Sequence, residues 1–409
     1  MIKGRILFSF RRSIFFMLLF CIPASFAQNT TSAQPIKIGS STALEGPAQT
    51  LGQGMTLGEQ LYLKKINEAG GIKGQKVTLI VYNDSYEPSL TAPNMRKLIT
   101  QENVLAIIGN VGSPTAVVSV PIAQELKTLL YGCYAGAEVL RQIPPDRYVF
   151  NFRASYTEET AAMVKGLLEA GIQPDEIAFF TQNDSFGDSG YFGGIKALKE
   201  AGYHDVDKLT HGRFTRNTVN VEEGLSEILD SKKTPKAIII VSPYLPAAKF
   251  IKMAIQDLPN TLFLNVSFVG SETLAKELGS VGNGHVIVTQ VVPSYDSDLP
   301  AVKEYRESLK KYAPDAIPGY ISLEGYLATK LFVLGLKHAA DTNKLTREGL
   351  VDTLESMRNV DIGIGIPISF DKNNHQALHT VWPTILRNGK YISFDWMELR
   401  QFIKEWKDN

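Results

Sequence analysis

The chain has 409 residues, balances 42 basic against 42 acidic side chains, and holds only two cysteines. Its length is generous for one hydrophobic core and comfortable for two domains. The charge balance gives no footing for nucleic acid or an anionic membrane surface as partner, and two cysteines exclude a disulfide scaffold.

Lys3, Arg5, Arg11 and Arg12 precede an unbroken apolar run over residues 14–22, which Pro23 ends. Ser25-Phe26-Ala27 then places small residues at the first and third positions. This is the pattern of an export signal cut after Ala27, because the run is shorter than the ~20 apolar residues that span a bilayer. Arg11-Arg12 leaves the twin-arginine route open beside ordinary secretion. Cys21 follows the bulky Phe20, which disfavours lipid attachment, so a soluble periplasmic protein is expected, without stable membrane insertion. Removal of residues 1–27 leaves Cys133 alone, and no intrachain disulfide is possible.

After a polar tether at 28–34, apolar runs at 36–40, 77–82, 104–108 and 128–131 read as strands. They alternate with amphipathic segments at 50–69, 89–101 and 114–125 that read as helices. Gly70-Gly71 ends the first helix. A second block repeats the pattern, with strands at 148–152, 176–181, 237–241, 261–263 and 284–292. Its helices fall at 158–169, 191–200, 221–231 and 246–256. Helices at 299–312, 319–338 and 346–356 follow, and 366–391 looks β-rich. Such alternation implies an α/β fold with parallel sheets covered on both faces, arranged as two similar lobes.

The segment Ile108-Gly109-Asn110-Val111-Gly112-Ser113-Pro114 ends a strand and starts a helix. Ser113 is an N-cap candidate, Pro114 fits the first helical position, and the unpaired N–H groups suit a carboxylate or phosphate. A purely structural cap explains the same residues equally well. The segment is neither a dinucleotide fingerprint nor a phosphate loop. Gly187-Asp188-Ser189-Gly190 is like a serine-protease nucleophile motif but continues with Tyr191-Phe192, so it is read as a loop leading into the helix at 191–200. His375 and His379 lie four apart in an extended-looking stretch, which suits structural histidines better than a metal site. Cys133 sits in an apolar strand context and is expected to be inert core. No nucleophile elbow occurs, so no catalytic residue, metal site or cofactor is expected. Beyond the strand ends of the second block stand Phe186, Tyr244 and Glu272, facing the strand end that carries Ser113.

Ile66-Asn67-Glu68-Ala69-Gly70-Gly71-Ile72-Lys73-Gly74, followed by Tyr82-Asn83-Asp84 and Pro88, resembles the leucine/isoleucine/valine-binding protein family of type I periplasmic receptors. The similarity extends to Gly46-Pro47, residues 184–187 and Phe370-Asp371. It implies two doubly wound parallel-sheet lobes joined by a three-strand hinge. Lobe one would take residues 35–152 and 292–368, lobe two residues 153–291 and 369–409. The resemblance further implies that Ser113 holds a ligand α-carboxylate, that the loop at Ala135 and Gly136 adds contacts, and that Tyr244 is an aromatic site residue. Glu272 would pair with the α-ammonium and Leu51 would lie near the ligand side chain. Three departures stand out: Gly136 replaces a threonine, Phe186 replaces a tyrosine, and Tyr86 with Gly112 stands where the family carries a disulfide.

The expected function is therefore that of a non-enzymatic periplasmic receptor. It would close over a small ligand, an apolar or branched-chain amino acid, and present it to an inner-membrane ABC permease. Two alternatives stay open at this point: a sensor of the same fold that binds an amide or small organic acid, and a secreted hydrolase.

Overall fold

The computed structural model describes residues 1–2, 4–9 and 34–407. Residues 1–33 and 34–409 form separate units, and the described residues of the first carry no regular structure. The expected cut after Ala27, Cys21, and the tether up to residue 33 lie outside the described residues.

The second unit contains two sheets, the first all parallel and the second parallel except for its last two strands. The first is built from β1 (Ile36–Thr42), β2 (Val77–Asn83), β3 (Ala106–Ile108), β4 (Leu129–Tyr131) and β5 (Val149–Phe150), in the order β2-β1-β3-β4-β5. Helices α1 (Gln49–Glu68), α2 (Pro88–Thr100) and α3 (Ser113–Glu125) connect these strands. The chain then enters the second lobe through α4 (Tyr156–Glu169), β6 (Ile177–Gln182), α5 (Ser185–Glu200), β7 (His211–Phe214) and α6 (Glu222–Leu229). It continues with β8 (Ala237–Val241), α7 (Tyr244–Asp257), β9 (Leu262–Asn265), α8 (Ser271–Leu278) and β10 (Val286–Gln290). Every residue of β6, β8, β9 and β10 is buried, as a parallel sheet covered on both faces requires.

After β10 the chain returns to the first lobe, where α9 (Pro300–Tyr312) and α10 (Tyr320–Asp341) pack on α1, and α11 (Arg347–Glu355) packs on α10. It crosses a third time to add β11 (Trp382–Arg387), β12 (Lys390–Ser393) and α12 (Trp396–Lys407). These strands pair antiparallel on β10, giving the order β12-β11-β10-β9-β8-β6-β7. The first and third crossovers run side by side, with the Asn151 N–H donating to the His375 carbonyl and the Ala377 N–H to that of Asn151.

The local differences from the sequence reading have identifiable causes. Helix α5 begins at Ser185, because the Asp184 carboxylate accepts the Phe186 N–H at 3.0 Å and caps it there. Gly187-Asp188-Ser189-Gly190 is thus helix rather than loop. Strand β7 is too short for its alternation to register. The tail expected to be β-rich is strand only from 382 to 393 and then folds as α12, whose Leu399 and Ile403 are buried. Among the described residues no helix is long and apolar enough to cross a membrane.

The α1–α10 pair sets the shape of the first lobe's outer layer. Gly58 lies where α1 approaches the α10 backbone, so an added methyl would run into the Ser322 carbonyl oxygen and come within 2.6 Å of the Tyr326 nitrogen. Alanine normally favours a helix over glycine by ~1 kcal/mol. Here Gly58→Ala is expected to destabilise by ~1–3 kcal/mol through overpacking, seen in calorimetry as a Tm lowered by a few degrees.

Candidate ligand-binding cleft

The two sheets share one strand order: β2-β1-β3-β4-β5 in the first lobe matches β7-β6-β8-β9-β10 in the second. In each, the connections reverse direction at the second strand, and open α/β sheets bind ligands at the carboxyl ends of strands beside such a reversal. Ser113 follows β3, Ala135 and Gly136 follow β4, Phe186 follows β6, Tyr244 follows β8 and Glu272 follows β9, while Leu51 lies in the first turn of α1. The structure gathers these residues at two ends of one inter-lobe cleft.

At one end, α3 begins at Ser113 and is capped by Gly112, with no side-chain cap hydrogen bond. The expected serine cap therefore moves one residue, and the Ser113 hydroxyl is buried with the Tyr156 side chain as its polar neighbour. Gly112 has φ +103°, and the Tyr86 ring occupies the space a side chain there would need. Tyr86 thus packs where the family's disulfide would lie. Gly136 is constrained likewise, since an added methyl would meet the Tyr156 ring at 2.7 Å. The Ala135 N–H bonds to the Cys133 carbonyl, and its own carbonyl accepts from Arg141 at 3.3 Å. Phe268 fills the centre, its ring centroid 4.5 Å from Phe186, 5.3 Å from Tyr134 and 5.9 Å from Tyr86. Ser113, Ala135, Tyr156, Phe186 and Phe268 are all fully enclosed.

The other end is open. A cavity of about 610 Å³ lies between α1, the start of α10, α8 and the β11–β12 hairpin, within the size range of small-molecule sites. Leu51 and Tyr244 pack around Gly270 behind it. Of the expected site residues, Glu272 lines the cavity, together with Tyr295 and Tyr391. Glu272 Oε1 accepts the Tyr320 N–H at 3.0 Å, at the first turn of α10. Burial raises the Glu272 carboxyl to about 7, against the lowering effect of the Tyr320 and Glu272 backbone N–H groups, and no positively charged side chain contributes.

Between the two ends, buried polar bonds join the lobes. Arg153, in the first crossover, pairs with Glu324 of α10 at 3.0 Å and donates to Ser267 at 2.8 Å. Its guanidinium lies 4.3 Å from the centre of the Tyr134 ring. Ser267 donates in turn to Glu159 of α4 through N–H and hydroxyl, at 2.7 and 2.8 Å. Burial works to lower the Arg153 pKa, but Glu324, Tyr134, Tyr156 and Glu159 together outweigh it and keep the group charged. The Tyr134 hydroxyl donates to the Ser267 carbonyl at 3.0 Å, and Gln182 donates to the Tyr86 hydroxyl at 3.3 Å. Arg216 pairs with Glu87 at 2.8 Å at the rim.

Sequence reasoning missed Arg153, Glu159, Glu324 and Phe268. The one available signal was a charged residue, Arg153, set between Phe152 and Ala154 in an apolar stretch. Among the other motifs, His375 is buried and stacks on Phe150 at 3.8 Å between ring centroids, while His379 bonds to Glu158 at 2.7 Å. Among the described residues no group of three or more His, Cys, Asp and Glu is arranged to hold a metal. Burial pushes the Cys133 thiol up to about 12, which keeps it a protonated core residue.

Two lobes of matching strand order, joined by three crossovers around a cleft, define a type I receptor fold. Residues 35–390 match the periplasmic binding protein family, and the chain belongs to it as a member of the leucine/isoleucine/valine-binding type. The chain is 25% identical over 387 residues to Leu/Ile/Val-binding protein homolog 7 of Brucella abortus, an alignment covering 88% of this chain and 90% of that one. A possible leucine/isoleucine/valine-binding protein from Rhodopirellula baltica superposes with a TM-score of 0.87 at 43% identity, over 90% of this chain and 98% of that one. The fatty acid ABC transporter substrate-binding protein from Thermomonospora curvata shares the fold with a TM-score of 0.79 at 21% identity, over 90% and 94%. The family is one of periplasmic solute-binding proteins rather than enzymes.

Two outcomes test this geometry. Arg153→Met leaves Glu324 and Glu159 buried without their cation and is expected to cost ~3–5 kcal/mol in urea unfolding; the double variant with Glu324→Leu recovers part of it. For Glu272, the folded-state pKa lies above the ordinary value, so its contribution to stability is fully present below pH 4.5 and is lost as pH rises through about 7. Melting curves of the unliganded protein across that window should fall more steeply for wild type than for Glu272→Gln, whose amide does not titrate.

Proposed function

We propose that the protein is the solute receptor of an ABC importer, closing its lobes over a small ligand and presenting the closed form to an inner-membrane permease. Family membership supports the receptor role. The observation that carries the ligand reading is a carboxylate, Glu272, facing an inter-lobe cavity with no cation contributing to its balance. An apolar or branched-chain amino acid suits that carboxylate through its ammonium, and the name of the Brucella relative points the same way. Leu51 and Tyr244, packed behind the cavity, suit an apolar body. The resemblance assigns Ser113 and the start of α3, with Ala135, Gly136 and Phe186, to a ligand carboxylate, but these residues are enclosed and stand apart from the cavity. Closure would proceed by hinge motion about the three crossovers.

A second reading, a sensor for an amide or small organic acid, is favoured by one observation: the Ser113 end is sealed and has lost two family hydroxyls, at Gly136 and Phe186. No catalytic step is assigned to any residue.

Thermal unfolding of the purified protein against individual amino acids, aliphatic amides and small organic acids tests the proposal. A ligand at about 100 times its Kd stabilises the folded state by roughly 2.7 kcal/mol. A raised Tm with apolar amino acids supports the amino-acid receptor. A rise only with amides or acids transfers the protein to the second reading, and no rise with any solute argues against a receptor.

A further inference from the structure

The cleft differs in chemistry at its two ends. The end expected to hold a carboxylate is enclosed: Ser113 is fully buried, as are Tyr156, Phe186 and Phe268, whose rings pack on one another. Ser113 is not among the residues that line the 610 Å³ cavity. The open end offers a carboxylate between aromatic walls. Tyr295 and Tyr391 line the cavity with Glu272, and Tyr295 meets Tyr320 edge-on at 4.9 Å between ring centroids. Burial raises the pKa of both Tyr295 and Tyr391 and the Glu272 charge adds to it, so the three groups share one electrostatic environment. The Tyr391 hydroxyl is buried without a hydrogen-bond partner among the described residues. Lys276, Lys390 and Asp296 also line the cavity, but all three are exposed at its mouth, where solvent and salt screen them. The inner charge is therefore the negative one of Glu272.

A carboxylate flanked by tyrosine rings favours an organic cation, through a charge-assisted hydrogen bond and the negative faces of the rings. Leu57, Ile317 and Ile321 supply apolar wall leading outward from it. Building on the reading of this cleft as a solute site, we infer that recognition is by a cationic nitrogen alone. The ligand is an aliphatic amine whose ammonium sits on Glu272 beside Tyr295 and Tyr391, with its apolar body along Leu57, Ile317 and Ile321 and no carboxylate anchored at Ser113. An amino acid enters the same site as an amine, and its carboxylate contributes nothing to affinity.

The test compares three probes of one carbon skeleton by isothermal titration calorimetry: leucine, its decarboxylated amine 3-methylbutylamine, and its deaminated acid 4-methylpentanoate. The amine is expected to bind at least as tightly as leucine, and the acid not at all. Glu272→Gln, which keeps an acceptor for the Tyr320 N–H and so preserves the fold, should weaken the amine by about tenfold or more, and Tyr295→Leu should weaken it less. Ser113→Ala should leave it within about twofold. Leucine binding about tenfold more tightly than the amine, or a marked loss on Ser113→Ala, overturns the inference and leaves the amino-acid receptor standing. Silence from all three probes, with stabilisation by an amide or other solute, overturns the inference but not the receptor.

Discussion

The two lobes meet around one buried cation. Arg153 lies in the first crossover, is 1% exposed, and pairs with Glu324 from the first lobe and Ser267 from the second. Burying a guanidinium and two carboxylates is costly, and such pairs rarely add net stability over an apolar core of the same shape. What the arrangement supplies is geometric specificity. Glu324 is carried by α10, which packs on α1. Glu159 is carried by α4, and its two oxygens hold the Ser267 N–H and hydroxyl. Displacing either lobe leaves one of these charges unpaired in a low-dielectric interior, so this relation of the lobes is strongly defined at the crossover.

Aromatic packing extends that definition into the cleft. Tyr134 lies over the Arg153 guanidinium and hydrogen-bonds to the Ser267 carbonyl, and Phe268, the next residue, inserts among Tyr86, Tyr134 and Phe186. Glycine at 112 and 136 makes room for the Tyr86 and Tyr156 rings. At both glycines a ring fills the space that a side chain would take. The result is a dry, aromatic contact between lobes at this end.

The fold was legible because its signals are local. Buried strands such as Ala237–Val241 read as continuous apolar runs, and the Gly70-Gly71 helix end and the Ser113-Pro114 helix start are fixed by backbone chemistry that any sequence shows. The matching order of the two sheets was not legible, because strand order is set by long-range pairing. The site was legible residue by residue but not in its partition. Ser113 and Glu272 each stand beyond a strand end as expected, yet nothing local to Ser113 shows that it is fully buried while Glu272 lines an open cavity. Arg153, Glu324 and Glu159 come from three separate segments, and their pairing exists only once the lobes are assembled.

Glu272 connects ligand chemistry to the closed arrangement. It belongs to α8 in the second lobe, and the N–H it accepts belongs to the first turn of α10 in the first, so this hydrogen bond spans the cleft. An ionised carboxylate is a stronger acceptor than a protonated one. Burial raises the Glu272 carboxyl to about 7, so ionisation is less favourable there than in an exposed carboxylate. A cation in the cavity favours ionisation and so strengthens the same bond that joins the lobes. A ligand shifts a two-state equilibrium only by its differential affinity for the two states. Under the proposed function Glu272 is placed to supply that difference, because its bond to Tyr320 joins the two lobes, and a carboxylate fixed within one lobe could not.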